Sequence, residues 1–280
     1  MTPPAAASPA PAAAKEWQPL LEGEWELPAG TEGYRCVRLT VQEDLYIKEF
    51  QPIAPKGTHH TLLSINPTPT APDGISECTA ADNGHTTLLG SGVGENYSAG
   101  ELPDGVAYKV AKGSQLNLNL HLFNTEDGPL KGLSGTNVRT TTADKVKEFA
   151  EVMLAGPVQL SIAPGNATTK GTCTLMTDTT VFAVAPHMHQ LGVHLKATAR
   201  PAAGDPVVLY DGEYDFEEQR QYPAPGGALA LKAGDAVEVE CTFDNDTDRT
   251  VQFGESSLDE MCFVGLYRFP LADDGLICFR

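Results

Sequence analysis

Leu116-Asn117-Leu118-Asn119-Leu120-His121-Leu122-Phe123 is the stretch that decides the fold class. Leucine alternates with a polar residue, so on a strand the four leucines share one face while Asn117, Asn119 and His121 share the other. Working outward, the chain repeats short β-prone runs at 37–41, 45–50, 60–65, 158–162, 181–184, 191–199, 207–210, 236–243 and 261–269, broken by Gly, Pro, Asn or Asp. Regular short strands with this punctuation predict an all-β protein. The pattern loosens at 143–155, where Lys and Glu appear and a helical turn or two is expected, and that stretch marks a domain boundary.

A length of 280 residues favours two domains, because single cores stop growing near ~250–300 residues. The expectation is two consecutive β-sandwich, jelly-roll-like domains, 17–145 and 146–280, preceded at 1–16 by a disordered linker of mainly Ala, Pro, Ser and Thr. With 27 Gly and 21 Pro, the composition is poorer in helix formers than a helix-rich chain would tolerate. A formal net charge of -18 argues against nucleic acid and anionic membrane surfaces as partners. No apolar run approaches the ~18 residues of a transmembrane helix, and no charged segment followed by an apolar one reads as a signal sequence.

None of the six cysteines lies in a CxxC pair, so a zinc knuckle is disfavoured and disulfides are expected. Disulfides imply an oxidising compartment: secreted, periplasmic or cell-surface. Six cysteines allow fifteen connectivities. The two-domain division suggests Cys36–Cys78 in the first half and leaves two bridges to be drawn among Cys173, Cys241, Cys262 and Cys278.

Seven histidines are grouped rather than scattered. His187 and His189, two apart at the end of an apolar run, would point to one face of a strand and could share an ion. His59 and His60 are adjacent and would face opposite ways on a regular strand. They can meet one ion only where the backbone bends, and Pro55-Lys56-Gly57 offers that bend. His121 is the polar-face histidine in the same half. Three imidazoles suit copper or zinc, whereas a thioether in the second group would favour copper(I), with Met176, Met188 and Met261 the available residues. His85 and His194 fit neither group and read as structural or solvent-facing. Asp244-Asn-Asp-Thr-Asp248 lacks the Gly and terminal Glu of a calcium loop and reads as an acidic hairpin turn.

Taken together, His59-His60, the strand ending at His121, Phe182-Ala-Val-Ala-Pro-His-Met-His-Gln-Leu-Gly192 and Ser256-Ser-Leu-Asp-Glu-Met-Cys262 resemble the copper type II ascorbate-dependent monooxygenases. The resemblance runs from about Tyr34 to the C-terminus. It implies that His59, His60 and His121 bind an electron-transfer copper, and that His187, His189 and Met261 bind a second copper where dioxygen is activated. It also implies one copper in each of two β-sandwich domains that face across a solvent-filled cleft, with ascorbate as the reductant and a small organic substrate. The disulfide set it implies is Cys36–Cys78, Cys173–Cys278 and Cys241–Cys262.

Several positions depart from the peptide-hydroxylating branch. There, an Arg two residues before the first His of the HxH pair, and an Asn and a Tyr shortly after the Met, grip a carboxylate; here those positions hold Ala185, Phe263 and Gly265. The expectation is therefore a neutral or aromatic substrate. Pro186 and Asn119 also differ from the family pattern. Two other functions compete with the monooxygenase: a copper-binding protein that keeps the ligands without the activity, and a zinc hydrolase for which Glu260 is the nearby base.

Overall fold

The computed structural model describes residues 16–79, 82, 88–92, 101–216, 219–254, 256, 258–272 and 275–278. The expected linker (apart from Glu16) and His85 lie outside them. The described elements are strands and short 3-10 turns, so the protein is all-β. By its contacts the chain divides into two compact units, Met1–Ala150 and Glu151–Arg280.

The first unit contains β1 (Gln18–Leu27), β2 (Glu32–Thr40), β3 (Leu45–Ile53), β4 (Thr58–Asn66), β5 (Gly74–Glu77), β6 (Leu88–Gly92), β7 (Val106–Val110), β8 (Gln115–Phe123), β9 (Leu130–Thr141) and β10 (Glu148–Phe149). They form two five-stranded sheets, β1-β9-β3-β7-β10 and β5-β2-β8-β4-β6. Strand β8 lies in the middle of the second sheet. Its leucines at 116, 118, 120 and 122 are fully buried, each contributing about 1.5–3 kcal/mol of apolar transfer.

The polar face of β8 is buried as well, which alternation alone does not foresee. Residues that follow β4 fold back across it, and each polar side chain holds one piece of that cover. Gln115 donates to Ala71 O and Asp73 and accepts from Thr70 N, Asn119 donates to Thr79 O, and Asn117 donates to Asp82 O. The Cys36–Cys78 disulfide closes this cover onto β2.

The second unit contains β11 (Glu151–Ala155), β12 (Ser161–Ile162), β13 (Gly165–Thr174), β14 (Thr179–Met188), β15 (Gly192–Arg200), β16 (Val207–Glu213), β17 (Tyr222–Pro223), β18 (Leu229–Leu231), β19 (Ala236–Asn245), β20 (Val251–Gln252), β21 (Cys262–Phe269) and β22 (Ile277–Cys278). One sheet runs β17-β14-β21-β11-β22 with β18 also on β14, another runs β13-β19-β15-β16, and β12 pairs with β20. A single core joins the two larger sheets, with Val181, Val184, Met188, Val264 and Leu266 from one and Leu195, Val237, Val239 and Phe243 from the other. Cys173–Cys278 and Cys241–Cys262 tie these sheets together. All three disulfides are the pairs that the family resemblance implies.

The two units repeat one pairing plan. In the first, β9 takes β1 and β3, β3 takes β7, β8 takes β2 and β4, and β4 takes β6. The second repeats it: β21 takes β11 and β14, β14 takes β18, β19 takes β13 and β15, and β15 takes β16. Even the irregularities recur. β4 slips register between Thr58 and His60 against β8, and β15 slips between Gly192 and His194 against β19. At the ends of β8 and β19, Asn124 and Asn245 lock equivalent turns: each side chain accepts from the amide two residues on and donates to the carbonyl four residues on.

Three expectations need correction. At 143–155 only Ala143–Lys145 is helical, as one 3-10 turn, and Glu151–Ala155 is an internal strand with Val152 and Met153 both buried. Burial on both faces is what loosened its pattern. At 158–162 the strand is confined to Ser161–Ile162. The acidic 244–248 turn joins β19 to β20, which pair with different partners, so it is not a hairpin.

Candidate metal centres

The backbone solves the problem that His59 and His60 pose. Thr58 N donates to Pro55 O, closing a tight turn in which Gly57 has φ +93. A Cβ on Gly57 would lie 2.5 Å from Leu130 and 2.6 Å from Trp25, so glycine is required there on two counts. The next residues carry the bulge: Thr58 faces Leu122 and His60 faces His121, leaving His59 as the extra residue. A hydrogen-bond chain from Trp25 Nε1 to Ser134 Oγ (2.7 Å) and on to Thr58 Oγ1 (2.5 Å) anchors the bulge.

The bulge turns both adjacent imidazoles toward His121. Ring centroids are 5.0 Å apart for His59 and His60, 5.0 Å for His59 and His121, and 4.8 Å for His60 and His121. One potential ligand atom from each residue lies within 4.8 Å of the other two. Nδ1 of His59 and Nδ1 of His60 are 2.9 Å apart.

His121 Nε2 lies 2.5 Å from Glu32, and Tyr34 stacks flat on its ring at 4.5 Å and 6°. Its Nδ1 is buried and has no hydrogen-bond partner among the described residues. Burial and the neighbouring His121 push His59 down to about 4, against the pull of Glu32. Burial likewise holds His121 below the usual histidine range although Glu32 opposes it. His59 and His121 are thus kept neutral, the state in which imidazole nitrogens bind metal.

The second group is built differently. His187 is the penultimate residue of β14 and lies opposite Phe263 of β21, and His189 follows the strand in a turn closed by Gly192 N donating to His189 O. Their rings are 5.3 Å apart and nearly perpendicular. Gln219 Nε2 donates to Phe216 O, which turns Gln219 Oε1 toward His187 Nδ1 at 2.9 Å. His189 Nδ1 meets Asp259 O at 3.1 Å. Both Nδ1 atoms therefore carry the proton, and Nε2 is the lone-pair nitrogen of each ring. Burial keeps His187 below the usual range, partly offset by Gln219.

The three methionines sort by burial. Met176 is 57% exposed, while Met188 points into the core, where its sulfur packs on Gly192. Met261 is half-buried, and the fully buried Glu260 beside it ties its backbone to that of His189. Glu260 accepts from His189 N, Leu191 N and Met261 N at 2.9, 2.7 and 3.2 Å. Burial pushes Glu260 up to about 7 even though these three amides pull it down. With both oxygens engaged by backbone, Glu260 is a tether, and the geometry does not offer it as a base for zinc hydrolysis.

Neighbouring positions on these strands carry no polar side chain: Ala185 lies opposite Gly265, and Phe263 packs against Phe253 at 6.0 Å. Of the remaining histidines, His194 pairs with Asp211 at 3.1 Å on the surface sheet. Sequence reasoning missed Glu32, Tyr34 and Gln219, whose types and spacings carry no metal signal, and it read Glu260 only as a possible base.

Both donor sets are of a kind that suits copper: three imidazoles with an orphaned buried nitrogen in the first, and in the second two imidazoles with the thioether-bearing Met261, whose backbone is tied to that of His189 through Glu260. Residues 148–279 match the family model described as copper type II ascorbate-dependent monooxygenase, C-terminal domain. The chain is 26% identical over 257 residues to peptidyl-glycine alpha-amidating monooxygenase A of Xenopus laevis, covering 84% of this chain and 26% of that protein. It is 27% identical over 277 residues to the putative DBH-like monooxygenase protein 2 of Homo sapiens, covering 87% and 54%. These matches tie residues 148–279 to the C-terminal domain of the copper type II ascorbate-dependent monooxygenases, and most of the chain is similar to the two monooxygenases. The chain spans about a quarter and about half, respectively, of the length of those two relatives.

Proposed function

We propose that this chain is a copper-dependent monooxygenase that hydroxylates an aliphatic C–H of a small organic substrate, using dioxygen and a one-electron reductant such as ascorbate. In this reading two consecutive β-sandwich domains hold one copper each, the first on His59, His60 and His121 and the second on His187, His189 and Met261. The observation that carries it is the convergence of the first three imidazoles at a bulge, with one buried nitrogen left without a partner.

Bound copper would supply one-electron transfer at the first centre and reductive activation of dioxygen at the second. The residues present account for how such centres are held. The bulge brings two adjacent imidazoles to one point, and Gln219 and Asp259 O fix the tautomers of His187 and His189. Glu260 bonds the amides of His189 and Met261, so the strand carrying the thioether cannot drift from the turn carrying the histidine. Ala185, Phe263 and Gly265 place no charged or polar side chain near His187, which supports a neutral or aromatic substrate. The three disulfides support an oxidising location, secreted, periplasmic or cell-surface.

The test is ascorbate-dependent oxygen consumption by the copper-loaded protein, coupled to a hydroxylated product from a panel of neutral substrates. Turnover that disappears in Met261→Ile while the fold is retained is the expected result. The lack of polar groups at 185, 263 and 265 also favours a second reading, a copper-binding protein without monooxygenase activity. Tight copper binding with no coupled product across the panel would select it.

A further inference from the structure

We propose that Glu32 is a positioning residue of the first metal centre: its carboxylate fixes the tautomer of His121 and biases copper held there toward the oxidised state. This rests on the reading of His59, His60 and His121 as copper ligands. Strand register creates the contact. Tyr34 faces His121 across β2 and β8, and Glu32, two residues earlier, lies on the same face of β2.

The imidazole of His121 is gripped twice, by the flat stack of Tyr34 and by Glu32 2.5 Å from Nε2. A neutral imidazole has one N–H, and Glu32 claims it. Nδ1 is left as the lone-pair nitrogen, and this is the buried atom that no described residue satisfies. The His121 side chain is 4% exposed while that of Glu32 is 43% exposed, so the carboxylate keeps contact with water as it bonds a buried ring.

The second group is supported by uncharged acceptors, the Gln219 amide for His187 and the Asp259 carbonyl for His189. A carboxylate partner raises the basicity of a ligating imidazole and places negative charge near the metal. Both effects favour copper(II) over copper(I), because the ion of higher charge gains more from them. The two centres are therefore biased differently by the residues behind their ligands.

The experiment uses the full chain carrying His187→Ala, so that copper loads on the first centre, with and without Glu32→Gln. Affinities for copper(II) and copper(I) are measured separately by chelator competition. Tryptophan fluorescence reports folding, since Trp17 and Trp25 both lie in the first unit. Glu32→Gln is expected to weaken copper(II) binding by about 10–100-fold and copper(I) binding far less, shifting their ratio. An unchanged ratio, whether both affinities fall together or neither falls, overturns the role of Glu32 and leaves the ligand reading standing. Copper binding by the parent that is unaffected by adding His121→Ala overturns the ligand reading and this inference with it.

Discussion

Strands β8 and β19 occupy the same place in their units, each between two antiparallel neighbours and each facing a strand that slips register near its start. On β8 the residue opposite His60 is His121; at the matching place on β19, Thr242 faces His194. The outer face of β8 is roofed by the disulfide-closed segment and buried, whereas that of β19 carries half-buried Glu238, Glu240 and Thr242. In the second unit the candidate ligands move to the other sheet, to the ends of β14 and β21. The strand plan alone therefore does not make a metal centre. In the first unit a bulge, a roof and three histidines coincide on β4 and β8, whereas the second unit's candidate ligands gather at strand ends held by the Glu260 tether.

The largest expected effect comes from making the first unit resemble the second. His121→Thr should remove one copper per chain and abolish turnover while leaving the second centre loaded, as metal analysis would read. Next, Glu260→Leu removes the acceptor for three backbone amides, one of them buried, and should destabilise the second unit by about 3 kcal/mol or more. Glu260 lies in the second unit, so the tryptophan-monitored unfolding of the first should be unmoved.

Replacing Cys36 and Cys78 by serine opens the roof over β8. The expected cost is about 2–4 kcal/mol, together with weaker copper binding at the first centre only. A smaller effect separates the units by pH in the copper-free protein. Histidine titrates near 6.5 when unfolded, while folded His59 resists protonation to about 4, so the first unit loses stability as pH falls from about 6.5 toward 4. In the second unit His187 shifts the same way. Glu260, raised from 4.5 to about 7, has the opposite sign: its contribution is present below 4.5 and is lost as pH rises through 7. Acidification from pH 7 to 5 should therefore lower the urea midpoint seen by tryptophan fluorescence more than that of the second unit, seen by far-UV signal remaining after the tryptophan transition. Smallest and most alike should be Asn124→Ala and Asn245→Ala, each costing about 1–3 kcal/mol if the two turns are equivalent locks.

The legible parts of this protein were those where pattern and packing agree. β8 announced itself because its leucines alternate without interruption, and the bend before His59-His60 was readable from Pro55 and Gly57. β1 was not read as a strand although Leu21, Gly23, Trp25 and Leu27 alternate with three glutamates, because Gly and Glu disguise a strand by propensity. β13 has scarcely an apolar side chain and exists by pairing with β19 along its whole length. The histidine groups could be picked out because their members are near in sequence or on an obvious strand. Their supports could not: Glu32 is 89 residues from His121, and Glu260 is 71 from His189.

The most direct test of two unlike centres is X-ray absorption of copper(I)-loaded protein in which one centre at a time is disabled. With His121→Thr, the remaining copper should show a sulfur neighbour from Met261. With His187→Ala, it should show imidazole nitrogen alone. Sulfur in neither sample, or in both, would contradict the account.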